Sequence, residues 1–298
     1  MEKNLIKSPA LQKEFLRISK HIISESLQNI QVKTKDSDSL VHSLRKKVKN
    51  LRTILKLLQK EVGEQFYKKN NFLLRDTNRR SASIRNYFAI FNLVQSNLEH
   101  TDTEQTKEAL LLLCLRIKTD FENIKNSIDY STIFLHYQSQ LEKYLDHLSK
   151  LNIDEGRFGV MKAGLLNIYV EGQNLLNLCL KTPTHDNLHE WRKSTKDFYY
   201  LTNSLSPIWK PVFQAYSKEI KLLTDLLGDV NDYFELNHYM QSLVDNPYDF
   251  TMLLDIIDTN RQNLISDAYQ LGRKIYAMEP DSFASQFKAY YSAYKKTC

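Results

Sequence analysis

Leucine, isoleucine and aromatic residues recur along most of this chain at intervals of three and four, the spacing that lines one side of an α-helix. The pattern predicts helices near 9–30, 39–61, 66–98, 104–149, 160–181, 186–205, 209–243, 249–278 and 281–296. Asp36, Ser37, Asp38 and Ser39 offer N-caps to the second of these, and Thr184 and Asp186 to the sixth, while Pro183 stops its predecessor. Asn246-Pro247 punctuates the chain before the helix near 249. The stretch "LNIDEGRFG" at 151–159 holds two glycines and is the expected break between a first half, 1–150, and a second, 151–298. The long segments at 66–98 and 104–149 imply antiparallel bundles with short connections, whose periodic apolar residues form the core.

Within this pattern "VHSLRKKVKNLRTILKLL", residues 41–58, separates into two faces. At about 100° per residue, Leu44, Val48, Leu51, Leu55 and Leu58 share one side. His42, Arg45, Lys46, Lys49, Arg52 and Lys56 gather on another, and Lys47 points away from that stripe. A related phrase, "LHEWRKSTKDFYYLTNSL", occupies 188–205. Trp191, Thr195, Phe198 and Leu205 lie on its buried side, with His189, Arg192, Lys193 and Lys196 on the polar one. The copies diverge beyond that, Arg52 being matched by Tyr199 and Lys56 by Asn203.

The correspondence continues downstream at a near-constant offset. "LLGDVNDYF" at 226–234 falls opposite "RSASIRNYF" at 80–88, pairing Asn231 with Arg85 and Asp232 with Asn86, and Lys221 pairs with Arg75. The expectation is an internal duplication: two similar bundles about a pseudo-twofold axis, with both basic helices along one shared groove or channel.

Composition agrees with an all-helical chain, since seven Gly and six Pro in 298 residues are too few for a sandwich or barrel. Charge sharpens the picture. Residues 1–150 carry 26 Lys and Arg against 17 Asp and Glu, whereas 151–298 carry 15 against 18. Between His42 and Arg85, 13 basic residues face only Glu61, Glu64 and Asp76, a local field that suits an anionic partner. A merely solvated helix mixes signs, but 40–60 contains no acid, and like charges on one stripe repel until counter-anions arrive.

The chemistry of that stripe is recognition. Arg offers paired N–H donors to phosphate oxygens, Lys adds point charge, and His adds a titratable donor. Arrayed along helices they suit a linear polyanion better than a single phosphate, which would use a Gly-rich loop that this chain lacks. Single-stranded nucleic acid would call for stacking rings, and the 42–56 stripe has none; Tyr199 and Tyr200 are the candidates near either copy and are expected at the rim of the groove. The eight histidines show no metal-protease spacing, and His185 and His189 are a weak i, i+4 pair. Asp76, Asp229 and Asp232 are conceivable Mg²⁺ ligands, but the first copy has Ser83 and Asn86 where the second has acids, and Gly228 suggests a turn-like segment there. No metal, cofactor or catalytic residue is expected. Cys114, Cys179 and Cys298 follow no ligand spacing, and the first two sit in apolar runs as reduced core residues. No apolar run reaches about 18 residues and the N-terminus lacks a signal-like stretch, so the expectation is a cytoplasmic protein that does not span a membrane.

"VHSLRKKVKNLR" and "LHEWRKSTKDFYY" resemble the two signature helices of the CHAD domain, the conserved histidine α-helical domain. The resemblance extends to "YKKNNFLLRDTNRRSASIRN" at 67–86, "GLLNIYVEGQ" at 164–173, "LLGDVND" at 226–232 and "LGRKIYAMEP" at 271–280, and so covers nearly the whole chain. It implies one domain of two pseudo-symmetric bundles around a basic central channel that binds inorganic polyphosphate, with association with polyphosphate granules in bacteria. Carried over, the binding positions are His42, Arg45, Lys46, Lys49 and Arg52, then Arg75, Arg79 and Arg85, and in the second half His189, Arg192, Lys193, Lys196 and Lys221. Lys56 joins them from the stripe itself. The family commonly has Arg-Asp where this chain has Arg85-Asn86, a change that alters how Arg85 is held without removing its charge. CHAD domains often accompany a triphosphate-processing CYTH domain, for which no residues remain here, so the expectation is binding without hydrolysis. Other polyanions, nucleic-acid backbone foremost, are the alternative partners.

Overall fold

A computed structural model describes residues 10–32, 36–79, 82–99, 101, 103–151, 158–243 and 251–297. Among these the chain is all-α. The first part forms α1 (Leu11–Val32), α2 (Ser37–Leu57), a single turn α3 (Gln59–Val62), α4 (Glu64–Arg79), α5 (Ala82–Glu99), α6 (Glu104–Ser127) and α7 (Tyr130–Ser149). Then come α8 (Phe158–Lys181), α9 (His185–Ser204), a 3₁₀ turn (Ser206–Ile208), α10 (Lys210–Gln241), α11 (Thr251–Ile275) and α12 (Pro280–Lys295).

Two long helices expected from the sequence are each divided. The 66–98 segment is α4 and α5, and the 104–149 segment is α6 and α7. The second division has a visible cause: the Asp129 carboxylate accepts from the backbone N–H of Ser131 at 3.0 Å and of Thr132 at 3.2 Å, capping a new helix. Asp36 caps α2 by accepting from Ser39 N–H at 2.9 Å, and Thr184 caps α9 through Asn187 N–H at 3.3 Å. Gly63, at φ +80°, turns the chain from α3 into α4 in a conformation that favours glycine. Asn246-Pro247 and most of the 151–159 segment lie outside the described residues.

The apolar face read for α2 is buried as expected, Leu44, Val48, Leu51, Leu55 and Leu58 all being nearly inaccessible. So is that of α9, where Trp191, Phe198 and Leu205 have no accessible surface. Burying such side chains stabilises the fold by about 1.5–3 kcal/mol each. These faces belong to a single large core that also takes in α1, α4, α7, α8, the first part of α10 and α12. A second, smaller core joins Ile90 and Val94 of α5 and Leu110, Leu113 and Ile117 of α6 to Tyr233, Leu236 and Met240 of α10 and Leu253 and Ile257 of α11. Both cores therefore cross the boundary at 150. The α5–α6 hairpin of the first half closes over helices of the second instead of over its own half.

Glycine allows two of the close approaches. A Cβ on Gly164 of α8 would stand 2.1 Å from the carbonyl oxygen of Leu57, so α8 meets the end of α2 backbone to backbone. A Cβ on Gly272 of α11 would stand 2.6 Å from Cζ2 of Trp191. Cys179 is a buried free thiol and Cys114 a half-buried one, while Cys298 lies outside the described residues.

Candidate functional site

The basic face of α2 is held from the side by α4. Arg45 donates from Nη1 to the Asn78 carbonyl at 2.6 Å, and Arg52 donates from Nε to Asn71 Oδ1 at 3.0 Å. The two arginines are two turns apart on α2 and the two asparagines two turns apart on α4, in the opposite order, as an antiparallel pair requires. Asn78 O belongs to the last turn of α4, whose carbonyls have no helical partner, so Arg45 also caps that helix. Each guanidinium carries five N–H donors, and these bonds fix its plane. Lys47 reaches the other way, to Glu25 of α1 at 3.1 Å, off the stripe as its position in the sequence predicts.

His42, Arg45 and Lys46 line one wall of a cavity of about 1280 Å³. The same cavity is lined by Asp229, Asp232 and Tyr233 of α10 and by Asn260, Asn263 and Asp267 of α11; α5 contributes Asn92, Ser96 and Asn97, and α6 Phe121 and Lys125. A uniformly basic channel is not what the described lining gives. Arg45, Lys46, Lys125 and His42 share it with Asp36, Asp38, Asp229, Asp232 and Asp267. Two of these acids are already occupied, Asp36 as the α2 cap and Asp38 by Lys125 at 2.9 Å and the Tyr130 hydroxyl.

The segment of α10 from Gly228 to Asp232 links the two basic helices. Read from the sequence as a turn-like stretch, it is continuous helix. Asp229 and Asp232 face the cavity with the α2 residues. One step round the same helix, Asn231 Oδ1 stands 2.8 Å from His189 Nδ1, and Gly228 lies under the Arg192 guanidinium, where a Cβ would be 3.6 Å from Nε. Arg192, expected on the polar side of α9, is in fact 5 % exposed, because α9 and α10 pack along that line. Burial lowers the His189 pKa, and Lys193 and Arg192 add to that, against the hydrogen bond to Asn231. With Nδ1–H donated to Asn231, Nε2 is the nitrogen that titrates. Burial, then Asp232 and Asp225, push the Asp229 carboxyl up to about 6, against the pull of Arg192 and Lys221. Asp229 nevertheless stays solvent-accessible, through the cavity it lines.

Lys56, the last member of the stripe, is taken up inside the fold. Its ammonium meets Asp197 of α9 at 3.0 Å and Glu171 of α8, and Thr53 Oγ1 donates to the other Asp197 oxygen at 2.7 Å. Burial works to lower the Lys56 pKa, but the two carboxylates outweigh it and the pKa rises. The lysine thus ties α2 to α8 and α9, and its charge is met by protein.

The remaining candidates are dispersed. Arg75 is exposed, with its guanidinium 5.1 Å from the centre of the Phe72 ring, and Arg79 is exposed at the end of α4. Lys193 pairs with Glu190 at 2.6 Å and Lys221 with Asp225, each on its own helix. Lys49 and Lys196 are half-buried on their stripes, and the Arg85 side chain lies outside the described residues. Tyr199 and Tyr200 pack ring to ring at 5.5 Å, and the His185 ring packs at a tilt against Phe234, centres 4.5 Å apart. Among the described residues no group of three His, Cys, Asp or Glu side chains is arranged to hold a metal ion, and no helix is long and apolar enough to cross a membrane.

Sequence reasoning missed Asp267 and Lys125 in the cavity, and it weighed Asp229 and Asp232 only as metal ligands, although both lie in the segment that the repeat offset aligned with the first basic half.

A protein-family model, the CHAD domain, matches residues 21–241, most of the chain, from within α1 to the end of α10. No curated protein and no solved structure matches the chain. The chain belongs to the CHAD family.

Proposed function

We propose that this member of the CHAD family binds inorganic polyphosphate without hydrolysing it, through the His-led basic faces of α2 and α9. The observation that carries the reading is the α10 segment 228–232, which touches His189 and Arg192 of α9 and borders the same cavity as His42, Arg45 and Lys46 of α2. Two separate basic faces are thereby directed at one stretch of structure, the arrangement a linear polyanion needs to be gripped at more than one point. The guanidiniums of Arg45 and Arg52, oriented by asparagines, present planar donors to successive phosphates, while Lys46 and Lys49 supply charge. In this reading Lys56 is structural, and Arg192 acts from within by setting the charge of the α10 segment.

The duplication is part of the proposal. Pairs of packed helices recur in the same order: α1 on α2 and α8 on α9, α2 on α4 and α9 on α10, α5 on α6 and α10 on α11, α1 on α7 and α8 on α12. The long α10 then corresponds to α4 and α5 together. A cytoplasmic location, with attachment to polyphosphate granules, follows as the expected setting.

The test is fluorescence-anisotropy titration with long-chain polyphosphate at about physiological salt, with single-stranded RNA as competitor. Tight binding that RNA fails to displace supports the reading. Ready displacement by RNA would replace it with nucleic-acid backbone binding, and Mg²⁺-dependent release of phosphate from the bound chain would overturn the non-enzymatic part.

A further inference from the structure

Resting on the polyphosphate reading, we propose that Asp229 makes uptake of the polyanion acid-dependent: protonated, it lets the α2 basic face engage phosphate across the cavity, and ionised, it repels the incoming chain. The geometry is the first support. Asp229 of α10 lines the same cavity as His42, Arg45 and Lys46, so a phosphate chain held in that cavity by those residues brings negative charge towards a carboxylate. Among the described residues Asp38 pairs with Lys125 and Asp225 with Lys221, and Asp36 caps α2, whereas Asp229, like Asp232 and Asp267, stands in no ion pair.

The charged surroundings of Asp229 come from α9, α10 and α11 and from the other helices that line the cavity. From α9, Arg192 favours the ionised form; on α10 itself Lys221 does the same, while Asp225 and Asp232 oppose it. α11 adds Asp267, and α2 and α6 add His42, Arg45, Lys46 and Lys125 across the cavity. The described lining residues of α5 are uncharged, and the 3₁₀ turn has no titratable side chain. The balance leaves the carboxyl at about 6, so that a moderate fall in pH removes its charge. A bound polyanion raises this value further, because it adds like charge nearby, and binding therefore draws in a proton.

Linkage sets the size of the effect. If the polyanion binds only the protonated form, affinity falls by up to tenfold for each pH unit above the pKa, and so gains about tenfold or more as pH is lowered from 7.5 to 5.5. Protonation of His42 and His189 would act in the same direction, so the experiment must isolate the carboxyl. Polyphosphate binding is measured at both pH values at constant ionic strength for the wild type, for Asp229→Asn, and for His42→Gln/His189→Gln. The wild type is expected to bind at least about tenfold tighter at pH 5.5, and the histidine double variant to keep most of that ratio. Asp229→Asn is expected to bind severalfold tighter than wild type at pH 7.5, with the ratio contracting to about threefold or less. An unchanged ratio in Asp229→Asn, or one abolished by the histidine changes, overturns the proposal and leaves the polyphosphate reading standing. No binding by the wild type at either pH overturns both. Calorimetry at pH 6.5 in buffers of different ionisation enthalpy adds a second readout: proton uptake on binding that persists in His42→Gln/His189→Gln and shrinks in Asp229→Asn supports the proposal, and zero uptake by the wild type overturns it.

Discussion

Arg45 and Asn78 bond to each other in both directions: Arg45 Nη1 donates to the Asn78 carbonyl at 2.6 Å, and Asn78 Nδ2 donates to the Arg45 carbonyl at 3.3 Å. Tyr137 of α7 completes the node by donating its hydroxyl to Asn78 Oδ1 at 2.8 Å. One asparagine thus positions a ligand-bearing helix against two others. Asn78→Ala is expected to cost about 2 kcal/mol, because it removes the amide that accepts from Tyr137 and donates to the Arg45 carbonyl, while polyphosphate affinity per folded molecule should change little, since the Arg45 guanidinium bonds the main-chain carbonyl, which the variant keeps. Urea unfolding and anisotropy, run on the same variant, separate the two effects.

Lys47 and Lys49 differ by two positions and belong to different faces. Lys49→Ala is expected to reduce polyphosphate affinity severalfold and to flatten its salt dependence, whereas Lys47→Ala, which only breaks the contact with Glu25, should leave both nearly unchanged. Equal losses in the two variants would refute the assignment of faces.

For Lys56 the expectation is the reverse of a ligand. Removing it strands Asp197 and Glu171 at the junction of α2, α8 and α9, so Lys56→Ala should lower stability by about 1–3 kcal/mol while changing polyphosphate affinity little per folded molecule. Thermal melting together with binding at a temperature well below the transition gives the answer.

Gly164 has no room for a methyl group, and its neighbour is the Leu57 backbone, which cannot turn aside as a side chain can. Gly164→Ala should destabilise the chain by about 3 kcal/mol or more, the upper end of overpacking costs. A change of under about 1 kcal/mol in urea unfolding would contradict the backbone contact.

Stability should respond to pH in two opposed ways. The Asp229 carboxyl, at about 6 in the fold against 3.8 ordinarily, holds a proton that the unfolded chain has lost between those values. Its favourable contribution is full below 3.8 and is lost as pH rises through about 6, so Asp229→Asn should melt higher than wild type at pH 7.5, with the gain shrinking by pH 5. His189 is the converse. Its lowered pKa makes the fold prefer the neutral ring, and that contribution is present above the ordinary 6.5 and lost as pH falls through the folded value. His189→Gln should therefore blunt the acid side of the melting profile.

What the sequence made legible was local. The leucine stripe of α2, the buried Trp191 and Phe198 of α9 and the caps at Asp36 and Thr184 all follow from spacing within one helix, and all hold. The division at Asp129 was also written there, in an Asp followed by Ser131 and Thr132, but the apolar period runs through it and hides the cap. Partnerships across the fold were not legible. Nothing near Lys56 announces Glu171 or Asp197, which lie 115 and 141 residues away, and nothing near Arg192 announces that α10 will cover it. The acids of the cavity were hidden for the same reason, since Asp229 and Asp267 come to line it with His42 only after α10 and α11 have packed.

Both cores draw side chains from either side of the connection between Leu151 and Phe158, and hydrogen bonds such as Tyr233 to Asn97 at 3.0 Å and Tyr239 to Asp120 at 2.7 Å cross between the same two parts. In assembly terms the molecule is an intimate heterodimer whose subunits share one polypeptide. Severing the backbone at that connection should leave two fragments that stay associated through size-exclusion chromatography. Made separately, each would expose the apolar face meant for the other and gain solubility only when the two are produced together.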